Sequence, residues 1–397
     1  MSLDRPLRKI QVSKVCRPKL CQERGGLAKR CGDLKGETLA KRVIVAGSGV
    51  IGASIAYRLA SRGATVTVLD AAAEAGGLAT RASWGWINAS WGNPEPYYRL
   101  RVRSMVEWDR LARDISGIPF QRCGGLIWDL EPEALDAFAR EQASWGYDLS
   151  PLAREAILKY EPNLKVVPDR AYFAPSEGVA EPLGTAKALL AAACDLGATV
   201  VCNTPVADLL IESGRVAGVI LAGGGIARSD EVVVAAGVKS PDILKRAGIS
   251  LKITAPAGLL AHSKPLPKLL NGLVMTPGLH VRQTGEGRLV AGTDFAGAEP
   301  EDRPVDMAHA LIAGMRALVR GAEGVELDFH TIGYRPTPAD GFSAIGRPRQ
   351  TQGLYAAVTH SGITLAPAIG LFAAQEILDG RRDPLLLPFS PDRPEIT

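Results

Sequence analysis

Residues 42–70 confine this chain to a short list of folds. Arg42–Ala46 is a β-rich run, Gly47-Ser48-Gly49-Val50-Ile51-Gly52 follows it directly, and Ala53 to Arg62 has helical composition. Ala64 to Leu69 is then a second β-rich run ending in Asp70, 18 positions after the third glycine. Strand, glycine turn, helix, strand and acid in that order open a nucleotide-binding βαβ unit. Each part has a steric or electrostatic duty. Gly47 permits the tight turn, Gly49 lets a pyrophosphate approach the backbone, and Gly52 lets helix and strand pack closely. The helix start around Val50 and Ile51 offers unpaired N–H groups and a positive dipole end to phosphates. Asp70 is placed to accept hydrogen bonds from the adenosine ribose.

At 397 residues the chain is too long for one ordinary domain, so two are expected. Hydrophobic residues at 46% and charged residues at 22% exclude disorder, collagen and coiled coil, and no apolar stretch is long enough for a membrane span. The net charge of +4 is unevenly placed: residues 1–41 hold eleven Lys/Arg against four Asp/Glu, leaving 35 against 38 in the rest. The excess therefore belongs to a basic N-terminal extension, and the body gives no footprint for nucleic acid. The extension carries Cys16, Cys21 and Cys31. A metal or iron–sulfur clip is one reading, but the spacing lacks a fourth ligand and a C-x2-C clasp. Without an apolar h-region, and with four acids present, it does not read as a targeting peptide either, so a cytoplasmic location is expected. A solvated extension preceding the fold is the preferred reading. Cys123, Cys194 and Cys202 sit in apolar surroundings and are expected to be reduced and buried. The five histidines show no ligand-like spacing, so no metal site is expected.

Two features separate FAD from NAD as the cofactor. The βαβ unit runs into a loop of small residues, Gly76-Gly77-Leu78-Ala79-Thr80-Arg81-Ala82-Ser83-Trp84-Gly85-Trp86, where an NAD domain would proceed to a third strand and crossover helix. Nucleotide-fold elements then return much later: a helix over Thr185 to Leu196, a strand over Gly197 to Cys202, and a strand over Glu231 to Gly237. An NAD-linked Rossmann dehydrogenase is the alternative that this return disfavours.

With these features the chain resembles the D-amino-acid oxidase superfamily of flavoproteins, in the branch with glycine oxidase, sarcosine oxidase and D-amino-acid dehydrogenases. The resemblance rests on residues 43–70, on EVVVAAGVKS at 231–240, on GYRPTPADGFSAIG at 333–346 and on GLYAAVTHSGITLAPAIGLFAAQEIL at 353–378. It implies an α/β (α+β overall) flavoprotein of two interleaved domains. A Rossmann-like FAD-binding domain would comprise 42–118, 165–245 and 328–390, and an antiparallel-sheet substrate domain 119–164 and 246–327. Apolar strands near Gly124–Asp129 and from Lys252 to Phe295, with a helix over Glu133 to Trp145, suit the second.

The resemblance further implies cofactor contacts at Gly77, Ala79, Thr80, Ser83, Trp84 and Gly85, at Val206, and at Ala236 and Gly237. The helix beginning after His360 would point its N–H groups at the flavin pyrimidine, with Gly362, Ile363, Thr364 and Leu365 as the contacting residues. Arg335, in rigid Gly-Tyr-Arg-Pro-Thr-Pro, matches the family's carboxylate-binding arginine. His280 matches a pocket-lining strand position. Trp84, Trp86 and Trp91 within eight residues are read as shaping an apolar or cyclic-amine pocket, with a plain core role as the alternative, and Tyr97 and Tyr98 are weaker candidates. The catalytic candidates are thus Arg335, His280 and Trp86.

Two departures matter. Where sarcosine-oxidase-like members attach flavin through a cysteine, this chain has Ile332, so FAD is expected to be non-covalent. Where those oxidases use an oxygen-activating lysine it has Val290, which favours a dehydrogenase. The expected function is FAD-dependent oxidation of an amino or imino acid. The alternatives are one flavin subunit of a hetero-oligomeric dehydrogenase, passing electrons to a partner, or a non-catalytic FAD-binding assembly factor; a homo-oligomer is also compatible.

Overall fold

A six-stranded sheet receives its strands from widely separated parts of the chain, in the order 344–346, 354–358, 231–234, 42–46, 65–69, 199–201. The computed structural model describes residues 40–90, 94–293 and 303–397. The basic extension with its three cysteines, apart from Ala40 and Lys41, lies outside the described residues, as do Trp91, Asp294 and Phe295. All neighbouring strands in this sheet run parallel except 344–346, which returns antiparallel to 354–358. Alternate residues explain why these runs carry apolar residues on both faces. Val43, Val45, Val66, Val68 and Val233 pack toward the helices, whereas Ile44, Leu69, Val232 and Val234 pack into a second core on the opposite face. A parallel sheet covered on both sides needs apolar residues at most positions of its strands.

Helices Val50–Ala60 and Gly362–Asp379 lie together on the first face, flanked by Pro182–Asp195 and Glu95–Asp114. Ser54 donates to the carbonyl of Ala366 at 2.6 Å, and a Cβ on Gly370 would lie 2.4 Å from Ser54 Oγ, so the helices touch where both residues are small. Pro367 lies inside the second helix and cannot donate to the carbonyl of Ile363. The Trp108 indole N–H fills that gap, 3.1 Å from the Ile363 oxygen and 3.2 Å from that of Thr364. The opposite face carries a meander of strands 206–212, 215–221 and 226–228, turned at Ser213-Gly214 with positive φ at both residues.

The second body is an eight-stranded sheet ordered 327–334, 257–263, 289–292, 279–283, 273–276, 125–127, 170–174, 150–153. It is antiparallel apart from the parallel junction of 273–276 with 125–127. Strands 170–174 and 327–334, expected wholly or mostly with the nucleotide fold, pair here instead. Phe173 lies opposite Leu126, and Gly333 opposite Gly258, so backbone pairing outweighs the motif that suggested a boundary at 328. Helix Pro304–Leu318 packs on one face. Among the described residues no helix is long and apolar enough to cross a membrane, and no group of three or more His, Cys, Asp or Glu could hold a metal ion. Cys123, Cys194 and Cys202 are half-buried and not disulfide-bonded, so the expectation of full burial is corrected. Burial still pushes the Cys123 thiol up to about 11, which keeps it protonated and unreactive at neutral pH.

Candidate functional site

Two helix N-termini meet at the carboxyl edge of the parallel sheet, and neither carries a side-chain cap from its own N-cap residue. The glycine turn brings them together. A Cβ on Gly47 (φ +109°) would fall 2.3 Å from the carbonyl oxygen of Ala235, and one on Gly52 would fall 2.0 Å from that of Gly47. The next loop folds over this turn: Gly77 sits so close to Gly49 that a Cβ on Gly77 would lie 2.7 Å from Gly49 Cα. Thr80 Oγ1 accepts the Val50 N–H at 3.1 Å, and Ala79 beside it is half-buried. Gly362 approaches Val50 and Ile51 from the other helix, where a Cβ would stand 3.5 Å from Val50 Cγ1.

Asp70 accepts from the Ser48 N–H at 2.7 Å, from the Ser48 hydroxyl, and from the Ala72 N–H at 2.8 Å. The Ser48 hydroxyl also accepts the Gly76 N–H at 3.1 Å, tying both loops to the acid. Ser48 was not anticipated, because the second position of a glycine motif carries no compositional signal. Val206 is half-buried just after Thr204, whose N–H bonds the Asp70 carbonyl at 2.8 Å. Ala236 and Gly237 (φ +58°) follow strand 231–234, and nothing lies within 4 Å of where a Gly237 Cβ would stand. Two converging helix N-termini, close glycine backbones and a carboxylate held at a strand end are the arrangement that a dinucleotide requires, so these residues fit FAD.

Ser83, Trp84 and Gly85 pass from this cradle to the second sheet. The Trp84 indole donates to the Val290 carbonyl at 3.1 Å, and its own carbonyl accepts from Arg282 Nε. Arg282, only 2% exposed, also forms a two-point pair with Glu181 at 2.7 and 3.1 Å, an anchor that sequence alone did not reveal. Trp84 packs edge-on to Trp86 with centroids 5.9 Å apart and lies 6.0 Å from the His280 ring. His280 is 4% exposed and its Nε2 meets Asp129 Oδ2 at 3.2 Å. The Trp86 indole is turned inward, donating to Glu177 at 2.7 Å, so its N–H faces the interior and not an open pocket. Tyr97 and Tyr98 are buried, and Tyr97 stacks on Phe342.

Arg335 follows strand 327–334, its N–H donating to the Pro256 carbonyl at 3.1 Å. Its guanidinium lies over Gly258, where a Cβ would come 3.1 Å from Nη2, so that glycine makes room for it. His360 lies within reach of that charge. Burial first, then Arg101 and Arg335, hold its imidazole down at about 4, so it is neutral at physiological pH. The His360 Nε2 lies 2.9 Å from the Gly341 carbonyl, which can only accept; Nδ1 therefore accepts from the Ser361 hydroxyl at 3.1 Å. Arg335 thus acts through its charge on His360, which lies two residues before the start of the 362–379 helix. Trp84 and His280 form a second group on the sheet.

The chain is similar to known proteins over most of its length. The glycine oxidase of Bacillus licheniformis is 29% identical over 348 residues, covering 84% of this chain and 92% of that protein. A D-amino acid dehydrogenase of Rhizobium rhizogenes is 26% identical over 403 residues, covering 85% of this chain and 95% of that protein. The crystal structure of glycine oxidase from Geobacillus kaustophilus superposes with a TM-score of 0.79 at 26% identity, covering 89% of this chain and 99% of that one. The model of the DAO family, described as FAD dependent oxidoreductase, matches residues 42–376, and the chain belongs to that family.

Proposed function

We propose that the protein oxidises a small amino or imino acid, with Arg335 holding the substrate carboxylate. The observation that carries this reading is Arg335 itself: a half-buried arginine at a strand end, given space by Gly258, whose charge is felt by His360 two residues before the helix that begins at Gly362. A forked cation there grips a carboxylate at two points and fixes the α-carbon. When bound, FAD supplies the two-electron acceptance, taking the hydride from that carbon as C–N becomes C=N, and water then hydrolyses the imine. The N–H groups of Ile363 and Thr364 are suited to stabilise negative charge that develops on the ring, whereas that of Leu365 already donates to the Ser361 carbonyl at 3.0 Å. Trp84 and His280 would wall the side-chain end of the pocket.

The test is anaerobic mixing of the holoprotein with D-, L-, N-methyl and cyclic amino acids while the visible flavin band is followed. Bleaching by at least one of them is expected; no bleaching across the panel would favour a non-catalytic assembly factor. Val290 supports dehydrogenase chemistry as a second reading. It is 1% exposed and its carbonyl holds Trp84, so the strand position where resembled oxidases carry a lysine is here occupied by core. Admitting air after bleaching separates the two, since a dehydrogenase reoxidises slowly unless an artificial acceptor or partner subunit is present.

Ile332 supports non-covalent attachment of the cofactor. Acid precipitation is expected to release all the yellow colour into the supernatant, and a yellow pellet would overturn this.

A further inference from the structure

Glu177 is fully buried at the turn before strand 178–180. Its carboxylate accepts from Trp86 Nε1 at 2.7 Å, from the Tyr147 hydroxyl at 2.9 Å and from the Ser90 hydroxyl. Arg101, on the 95–114 helix, is 6% exposed. It donates to the Ser90 carbonyl at 3.3 Å and to Ser361 Oγ at 2.8 Å, and lies over the Tyr97 ring at 5.3 Å. Ser361 is the residue before the 362–379 helix and in turn bonds His360. Thr364, in the first turn of that helix, donates to the Trp86 carbonyl at 3.1 Å. The 86–90 segment is therefore held by its backbone to the helix and by its side chains to Glu177, and Arg101 bridges the same two parts.

A buried carboxylate and a buried guanidinium are costly to desolvate, and apolar residues of similar volume would serve the core as well. Their retention at the joint between the tryptophan segment and the uncapped helix calls for another explanation. We propose that Glu177 and Arg101 are positioning residues for the flavin site, a buried couple of opposite charge to which the 86–90 segment and the N-terminal turn of the 362–379 helix are both fastened. The inference needs only the FAD of the family and not the identity of the substrate.

The chemistry of the couple makes it testable. Burial pushes the Glu177 carboxyl up to about 7, against the three donors and Arg101, which favour its ionised form. The neutral form is accommodated without rearrangement, because Ser90 and Tyr147 can each accept as well as donate while Trp86 keeps its bond. The other groups around it do not titrate near neutrality. Burial raises Tyr147 well above 10 and the Cys123 thiol to about 11, and His360 lies near 4. Arg101 is lowered by burial, yet a guanidinium keeps its proton. Gly125, whose Cβ position is 3.1 Å from Glu177 Oε2, brings no charge.

Reduction of a flavin adds negative charge, so an ionised Glu177 disfavours it and a neutral one does not. The flavin midpoint potential of the holoenzyme should therefore fall more steeply with pH around neutrality than in Glu177→Gln. The two proteins should agree at about pH 5.5 and diverge by about pH 8.5, with the variant the higher. Tryptophan fluorescence, read in the same samples, should show an inflection near pH 7 in the wild type that the variant lacks, because Trp86 donates to the titrating group. Tyr147→Phe, which removes one donor and keeps the ring, should move both inflections to higher pH and serves if the glutamine variant does not fold. Superimposable pH profiles of potential and fluorescence in wild type and variant would overturn the proposal. None of these readings uses a substrate, so their failure is distinct from failure of the amino-acid reading.

Discussion

Alanine at Arg335 is expected to leave the protein yellow and folded while kcat/KM falls about a hundred- to a thousandfold, the bulk of it in KM. Removing one partner of a desolvated, charge-assisted pair costs about 2–5 kcal/mol, and about 1.4 kcal/mol is a factor of ten. FAD should stay because the substitution touches neither glycine loop. Its surroundings include Gly258, the Pro256 carbonyl and the charge-sensitive ring of His360. Arg335→Lys keeps the charge but not the two-pronged geometry, so it should recover only part of the loss. The competing explanation is that Arg335 merely fastens the end of strand 327–334 to its neighbours. In that case the alanine protein would melt at a lower temperature with KM unchanged. Steady-state kinetics on the best substrate, with flavin absorbance and a melting curve, separates the two; unchanged KM and kcat would reject the clamp.

What could be read from the sequence follows the range of the forces involved. The turn at 47–52, the helices at 50–60 and 362–379 and the buried strands of the parallel sheet are written in local terms: obligatory glycines, β-branched runs, a helix start after a strand. Those elements appear where expected to within a few residues. Glu177 was not legible. It stands in Pro-Ser-Glu-Gly, which reads as a solvated turn, and its partners Trp86, Ser90 and Tyr147 lie 91, 87 and 30 residues away. Arg101 belongs to a helix rich in arginine whose charges look like an exposed face, and only the packing of Tyr97 and Ser361 around it makes it buried. Asp129 and Arg282 escaped for the same reason: a charge in a strand or just past its end is ambiguous until its partner is placed. Residues 170–174 fall in a segment expected with the FAD-binding domain yet form a strand of the other sheet, because their apolar residues fit either body and strand pairing, a long-range choice, decides it. Trp86 is the opposite case. Its place beside Trp84 was evident, but the inward direction of its indole depended on an acid invisible from sequence.

Gly52→Ala should cost the protein its cofactor. A Cβ there would stand 2.0 Å from the Gly47 carbonyl oxygen and 3.3 Å from Val45 Cγ1. The first clash is with backbone, which no side-chain rotation can relieve, so either the helix lifts from the strand or the turn opens. Both movements displace the Val50 N–H from Thr80 and carry the helix N-terminus away from Gly77 and Gly362, the group of contacts that shapes the phosphate cradle. Overpacking of this kind costs about 1–3 kcal/mol where side chains can give way and more where they cannot. The purified variant should therefore hold roughly a tenth or less of the wild-type flavin and melt several degrees lower. Gly63→Ala is the internal control. Gly63 also has a positive φ, +83°, but nothing lies within 4 Å of its Cβ position and it sits past the far end of the helix. It should lose about 1 kcal/mol from backbone strain and keep its full flavin content. A Gly52→Ala protein that purified fully yellow, with the melting temperature of the wild type, would mean that the turn relaxes in a way the close contact with Gly47 forbids.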